Sequence, residues 1–265
     1  MSWFEGPRPR LFAHRGCSGT HPENTLEAFR AGLEAGADRL ELDVHCSFDG
    51  HVVVFHDDDL DRTTDGHGPI RGRTLAELKK LDAGYHFVDE HGERPFRGCG
   101  VRIPTLVEVF EAFADTPLNI EVKQHGDDMV TAFYAAVDQC GARGRVLSAA
   151  YEAPIMEALR AAAPDVPSSL SAEEVADFVG RCLSDSLEGY QAPGRALQVP
   201  PAHEGIEIVT PTFVRAAHDF GMEVHVWTIN DEDEMERLLD LGIDGLMSDY
   251  PELARAVLEK RGMRS

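Results

Sequence analysis

The stretch LFAHRGCSGTHPENTLEAF, near the start of the chain, ends a short apolar run with two side chains that can do chemistry. His14 can exchange a proton near neutral pH, because an unperturbed imidazole has a pKa of about 6.5. Arg15 carries a planar guanidinium, which pairs with two oxygens of a phosphate or carboxylate. The pair therefore either caps a strand or faces an anionic ligand. Neighbouring strand residues point to opposite faces, so both reach a ligand only if the chain turns there, and Gly16 permits such a turn.

Two later apolar segments carry charged side chains two positions apart, Glu41 with Asp43 and Glu121 with Lys123. Because successive side chains of a strand point to opposite faces, each pair shares one face. Converging carboxylates either raise each other's pKa or bind a cation, and a purely oxygen donor set suits Mg²⁺ or Ca²⁺ better than Zn²⁺. We therefore predict one divalent cation, with Mn²⁺ as a further candidate, held by Glu41, Asp43 and Glu121. A plain internal ion pair is the alternative for Glu121 and Lys123.

A second histidine is predicted to arrive at the same place on a hairpin. Val52–His56 follows the second strand too soon for a parallel crossover, and Asp49-Gly50 is a strong two-residue turn signal. Centring the turn there pairs Asp43 with His56. We therefore expect Asp43 and His56 to be cross-strand neighbours.

Short apolar runs alternate with helical patterns along nearly the whole chain, and several helices stop at a glycine. This rhythm predicts a (β/α)₈ TIM barrel, an α/β fold whose active site lies at the C-terminal ends of its strands. A doubly wound open sheet is the alternative, but no GxGxxG turn supports it. The predicted strands are Arg10–Ala13, Arg39–Val44, Leu118–Lys123, Arg145–Ala149, Pro167–Leu170, Ala196–Val199, Glu223–Thr228 and Gly245–Met247. The predicted helices include Leu26–Ala35, Leu106–Phe113, Asp128–Gln139, Ala153–Ala162, Pro211–Phe220 and Asp233–Leu241.

One polar segment interrupts the alternation of strands and helices. Residues 57–103 are rich in Gly, Asp and Arg, and we interpret them as a small insertion after the second strand, packed over the barrel mouth. The whole chain, residues 1–265, is then a single domain. Its oligomeric state cannot be predicted from these patterns.

The composition argues against several classes of partner. With 25 basic and 47 acidic side chains, the net charge of −22 repels nucleic acid and anionic lipid headgroups. We therefore expect a small-molecule substrate, no nucleic acid and no stable membrane association. Five cysteines without metal-binding spacing, and the lack of an apolar signal segment, predict a reduced cytoplasmic protein.

Several separated segments resemble the glycerophosphodiester phosphodiesterase family, in the order typical of that family. They are HRG…PENT, LELDVHCSFDGHVVVFHDDDLDRTT, IPTLVEVF, NIEVK and VHVWTIN…LGIDGLMSDYP. The resemblance implies a TIM barrel with a small insertion, a divalent metal, and hydrolysis of glycerophosphodiesters to glycerol 3-phosphate and an alcohol. It also implies site roles: acid and base for His14 and His56, phosphate binding for Arg15 and Lys123, and metal binding for Glu41, Asp43 and Glu121.

The side of the site that binds the alcohol is less well specified. Trp227 shares a face with His225, so its ring either contacts bound glycerol or packs in the core. Where the family usually has Ser-Phe on the fourth strand, this chain has Ser148-Ala149, and the missing ring would make room for an acyl chain. A lysophospholipase D-like enzyme is therefore an alternative, as is a catalytically inactive ligand-binding barrel. We expect Asp249 to cap the last helix and Arg62 to stabilise a loop.

Overall fold

The computed structural model describes residues 3–264 and forms a parallel barrel surrounded by helices. The strands within that range are β1 (Arg10–His14), β2 (Arg39–Cys46), β3 (Val52–Val54), β4 (Leu118–Val122), β5 (Val146–Ala149), β6 (Ala196–Val199), β7 (Ala202–His203), β8 (Ile206–Glu207), β9 (Glu223–Val226) and β10 (Gly245–Ser248). Seven of them lie side by side in the order β5-β4-β2-β1-β10-β9-β6, and β3 pairs antiparallel with β2.

The helices lie between successive strands, as in βαβ units. They are α1 (Leu26–Glu34), α2 (Leu75–Leu78), α3 (Leu106–Ala112), α4 (Asp127–Gln139), α5 (Ala153–Ala162), α6 (Ala172–Ser184), α7 (Pro211–Asp219), α8 (Glu232–Asp240) and α9 (Pro251–Lys260). Within residues 3–264, no helix is both long enough and apolar enough to cross a bilayer.

The predicted strand Pro167–Leu170 is reduced to two single bridges that close the barrel. Ser168 bridges to Ser148 of β5, and Ser169 bridges to Ala196 of β6. Pro167 lacks an N–H and only accepts a hydrogen bond, from Ser148 N at 2.9 Å, which shortens the ladder. The expected TIM barrel is thus confirmed, with a much shorter fifth strand than the sequence predicts.

The two faces of β2 have different surroundings, as the alternation predicts. Leu40, Leu42 and Val44 belong to the apolar layer between the sheet and the helices. Glu41 and Asp43 lie on the opposite face and are also buried. Because helices cover the outer face, the two carboxylates face the barrel interior.

The register predicted for the hairpin is wrong by one residue. Val44 pairs with Val54, and the next pair places Asp43 opposite Phe55, whose N–H donates to Asp43 O at 2.9 Å. The turn is longer than two residues because the carboxylate of Asp49 accepts hydrogen bonds from the Ser47 hydroxyl and from Leu75 N, both at 2.8 Å. Asp43 and His56 are therefore not cross-strand partners.

The segment 57–103 contains α2 and short 3₁₀ turns, and its apolar side chains form a small cluster of their own. That cluster joins the main fold through Val53 and Phe55 of the hairpin. Its interpretation as an insertion within one domain stays a prediction.

Candidate active site

All eight side chains that the sequence nominates line one cavity of about 370 Å³ at the C-terminal ends of the strands. The structure thus brings together residues that are far apart in the chain. They are His14, Arg15, Glu41, Asp43, His56, Glu121, Lys123 and Trp227. Their chemical roles stay predictions.

The chain leaves the first strand where His14 and Arg15 lie, as expected. β1 ends at His14, and Arg15 adopts a left-handed backbone with φ 54°. Gly16 follows with φ 86°, and a Cβ there would lie 2.5 Å from the backbone carbon of Ala28, so only glycine fits. This break lets both side chains line the cavity.

Three carboxylates form a cluster suited to a hard cation. One oxygen from each of Glu41, Asp43 and Glu121 lies within 4.8 Å of the others. Burial, together with the charge of Asp43, raises the pKa of Glu41 to about 7. The pKa of Asp43 is instead lowered to about 2. Burial alone would raise this pKa, but the positive charges of Lys123 and Arg15 outweigh the effect of burial. Carboxylate oxygens are the donors that Mg²⁺ and Ca²⁺ prefer, so the residues present fit such an ion.

Two cations compensate this negative charge. Lys123 Nζ lies 3.1 Å from Asp43 Oδ1 and 2.9 Å from Glu121 Oε2. Arg15 Nε lies 3.3 Å from Asp43 Oδ2 but makes no hydrogen bond to any described residue, although it is buried. A buried donor without a partner is costly, and an anionic ligand in the cavity would satisfy it.

His14 is oriented by a residue that sequence reasoning assigned elsewhere. Its Nδ1 lies 2.7 Å from Asp249 Oδ1, and Asp249 also accepts hydrogen bonds from Ser18 and Asn230, each at 2.7 Å. Burial lowers the pKa of His14, but Asp249 and the charge of Glu41 outweigh that effect and raise it. The prediction that Asp249 caps α9 is wrong, because Tyr250 occupies the N-cap and Asp249 binds the imidazole instead.

His56 is held by a hydrogen bond to Asp57, and a chain of ion pairs leads from Asp57 back to Arg15. His56 Nδ1 lies 2.6 Å from Asp57 Oδ1, and Arg62 Nε contacts the other oxygen of Asp57 at 2.5 Å. Arg62 also binds both oxygens of Glu23, at 2.6 and 2.7 Å, and Arg15 donates to Glu23 at 3.0 Å. The expected loop-stabilising role of Arg62 agrees with these contacts.

Three amides near the carboxylates were not predicted as site residues. Asn24 Nδ2 donates to Asp43 Oδ2 at 2.9 Å, so Asn24 fixes that carboxylate. Asn119 and Gln198 line the cavity and share a hydrogen bond of 2.9 Å. Asn119 lies two residues before Glu121 in NIEVK, and that same-face spacing could have identified it.

The cavity therefore combines two imidazoles, three carboxylates and two cations. The cations can bind a phosphate, and the imidazoles can transfer protons to and from its substituents. Cys17 is not suited to act as a nucleophile here, because burial raises the pKa of its thiol to about 11.

Comparisons with known proteins agree with this inventory. A family model described as the glycerophosphoryl diester phosphodiesterase family matches residues 14–253. A glycerophosphodiester phosphodiesterase from Caldanaerobacter subterraneus subsp. tengcongensis is 32% identical over 257 residues, covering 95% of this chain and 98% of that protein. Lysophospholipase D GDPD1 from Rattus norvegicus is 28% identical, covering 91% and 83%. The structure of an Oleispira antarctica phosphodiesterase in complex with the product sn-glycerol-3-phosphate has a TM-score of 0.79 and 30% identity, covering 95% and 97%.

Proposed function

The chain belongs to the glycerophosphoryl diester phosphodiesterase family and is an enzyme of that class, and we propose that it hydrolyses glycerophosphodiesters with one divalent cation and two histidines. The products are glycerol 3-phosphate and an alcohol. The observation that carries this proposal is the convergence of His14, His56 and three carboxylates on one cavity. The product bound in the Oleispira antarctica enzyme supports the choice of substrate.

Glu41, Asp43 and Glu121 would hold the cation, which is Mg²⁺, Ca²⁺ or Mn²⁺. A bound cation supplies charge neutralisation at the phosphoryl oxygens, which favours attack at phosphorus. Arg15 and Lys123 bind the same phosphate. Both side chains form ion pairs with Asp43 in the structure, so they lie next to each other at the cation site. Arg15 Nε is ion-paired with Asp43 but donates no hydrogen bond to a described residue, and this supports the phosphate-binding role, since a phosphate oxygen would accept its hydrogen.

The two histidines divide the proton transfers between them. His14 acts as the acid, because its hydrogen bond to Asp249 and its raised pKa favour the protonated imidazole. It protonates the departing alkoxide. His56 keeps Nδ1 on Asp57 and uses its other nitrogen to take the proton of the attacking hydroxyl. That hydroxyl belongs to water or to the glycerol of the substrate.

Two alternatives differ from this proposal in testable ways. A catalytically inactive barrel would need neither the histidines that transfer protons nor the carboxylates that hold the cation. The presence of both histidines and all three carboxylates therefore favours an enzyme. A lysophospholipase D-like activity keeps the chemistry and changes the substrate, and it is favoured by a second cavity that adjoins the site and is lined by apolar residues of α6. We also propose a cytoplasmic location, which the free thiols of the cysteines support.

The experiment that tests the function is product analysis with purified enzyme. A panel of glycerophosphodiesters is incubated with and without Mg²⁺, Ca²⁺ or Mn²⁺, and glycerol 3-phosphate and free alcohol are quantified. We expect equal amounts of both products, and only with a cation. Binding of substrate without turnover under every condition would instead indicate the inactive barrel.

A further inference from the structure

A second and larger cavity, a groove of about 690 Å³, adjoins the active site. The two cavities share four lining residues: Glu121, Tyr151, Gln198 and Trp227. Beyond these residues the groove runs between helix α6 and the β7–β8 hairpin. Its near end is therefore the wall of the catalytic cavity.

The groove exposes large apolar side chains that have no evident structural role at the surface. Leu183 is 71% exposed and Ile206 is 52% exposed, and they come from α6 and β8 respectively. Tyr151 and Trp227, also exposed, lie where the groove meets the catalytic cavity. Contiguous exposed apolar surface commonly marks a binding site.

The opposite side of α6 anchors the helix to the core. Phe178 points into the core beneath the helix and is fully buried against Phe213 and Tyr190. Ala176 and Gly180 lie on the groove side, where small residues leave room. Ala149, the last residue of β5, is also small and lines the groove.

We propose that this groove binds the single acyl or alkyl chain of a lysophospholipid, with the phosphate in the catalytic cavity and the glycerol beside Trp227. The inference rests on the proposed function and names its substrate class. Continuity with the catalytic cavity decides the occupant, because an amphiphile with a phosphodiester at one end fills both spaces at once. The acidic chain disfavours anionic bilayers, so dispersed lysophospholipid is the form bound.

The reaction is the same hydrolysis at the same ester of the phosphate, the one that joins phosphorus to the headgroup oxygen. The oxygen of a water molecule bonds to phosphorus as His56 takes one of its protons, the bond from phosphorus to the headgroup oxygen breaks, and the headgroup alkoxide takes a proton from His14. The products are lysophosphatidic acid and the headgroup alcohol. The acyl ester is untouched, and no oxidant or reductant is needed.

The test compares glycerophosphocholine with hexanoyl- and decanoyl-lysophosphatidylcholine, each below its micelle-forming concentration and with the cation present. Four additional methylenes in a half-open groove should raise kcat/KM by at least about tenfold from the hexanoyl to the decanoyl compound. Ile206→Asp should lower the ratio of decanoyl to glycerophosphocholine kcat/KM by at least about tenfold. Val88→Asp is the matched control, because Val88 is 46% exposed and lies outside both cavities, and it should leave that ratio unchanged.

A second variant fills the groove without adding charge. Gly180 lies within α6, and a Cβ added there would meet no atom within 4 Å, so Gly180→Phe should fold normally and block the acyl chain. Like Ile206→Asp, this variant should lower the ratio of decanoyl to glycerophosphocholine kcat/KM.

Several outcomes would overturn the inference. One is a kcat/KM independent of chain length together with a parent-like ratio in both groove variants. Another is that the protein forms a dimer in solution, and that Ile206→Asp dissociates this dimer without changing the ratio of decanoyl to glycerophosphocholine kcat/KM. The groove would then be an interface between two copies of the chain. If no compound is hydrolysed, the proposed function fails, and calorimetric titration of the parent with the same compounds still decides the groove. Affinity that rises with chain length supports the groove as a chain site, and equal affinity contradicts it.

Discussion

Nδ1 of His14, at the end of the first strand, lies 2.7 Å from Oδ1 of Asp249, which follows the last strand 235 residues later. The same carboxylate is anchored by Ser18 and Asn230. It therefore presents a fixed negative charge to Nδ1 and leaves the other ring nitrogen, Nε2, on the side of Glu41 and the cavity. Barrel closure, which places β1 beside β10, makes this contact.

We predict that Asp249→Asn shifts the pH profile. Asp249 helps to raise the pKa of His14, so removing its charge lowers that pKa. If His14 must be protonated, activity is lost as pH rises through this pKa, and the basic limb of kcat/KM moves to lower pH. Asp240→Asn, a surface substitution at an exposed carboxylate, serves as the control. An unmoved basic limb in Asp249→Asn would argue against His14 as the acid.

Substitutions of the HRG pair test phosphate binding and proton transfer separately. Arg15→Lys should lose at least about tenfold in kcat/KM, roughly 1.4 kcal/mol of transition-state stabilisation, because an ammonium cannot form paired hydrogen bonds. His14→Ala should lose about 10²–10⁴-fold, as general acid catalysis typically contributes. Steady-state kinetics with glycerophosphocholine measures both. Parent-like rates for both variants would reduce HRG to a strand cap.

Metal binding should release a proton from Glu41. Its pKa is raised to about 7, so at pH 6 it is mostly protonated and a cation must displace the proton. Asp43, with a pKa of about 2, is already ionised and releases none. Calorimetry in buffers of different ionisation enthalpy should give about one proton released at pH 6 and almost none at pH 9. Affinity should therefore increase as pH rises through 7, and a pH-independent affinity would contradict the assignment.

The turn at Gly16 should be intolerant of any side chain. Gly16→Ala combines a left-handed backbone with a Cβ 2.5 Å from Ala28, and we expect the free energy of unfolding to fall by on the order of 3 kcal/mol. Gly141→Ala has a similar positive φ of 59° but open space around it, so it should cost only about 1 kcal/mol. Urea denaturation measures both. Equal losses would show that the close approach to Ala28 contributes nothing.

The sequence predicts the barrel and its charged lumen well because both follow from local alternation. Glu41 and Asp43 must share a face, and the apolar residues between them must meet helices, whatever the rest of the chain does. The break after His14 is also local, since Gly16 marks it. These features need no knowledge of distant contacts.

Features that depend on distant contacts could not be derived in the same way. The hairpin register depends on Asp49 binding Leu75 N, which replaces the expected two-residue turn. His56 still reaches the cavity because β3 ends at Val54, the last hydrogen bond to β2 is that of Phe55 N, and the chain then turns. Asp249 resembles a helix cap in the sequence, and only barrel closure places it against His14. The groove likewise exists only once α6 and the β7–β8 hairpin pack beside β6.

The carboxylate cluster has a matched set of variants. Glu41→Gln and Glu121→Gln keep the shape of each side chain and remove one charged ligand, so activity should be abolished and metal affinity weakened while the fold persists. Glu157→Gln, at an exposed position on α5, should retain parent activity. Circular dichroism and calorimetric titration with Mg²⁺ or Ca²⁺ accompany the assay. Parent activity in either cluster variant would show that its carboxylate is not a ligand.

Removing the metal tests the central claim most directly. The parent enzyme is stripped with EDTA, its metal content is verified, and release of glycerol 3-phosphate from glycerophosphocholine is followed as Mg²⁺, Ca²⁺ or Mn²⁺ is returned. We predict no measurable release from the stripped enzyme and recovery that saturates at one ion per chain. Full activity in verified metal-free enzyme would contradict the account.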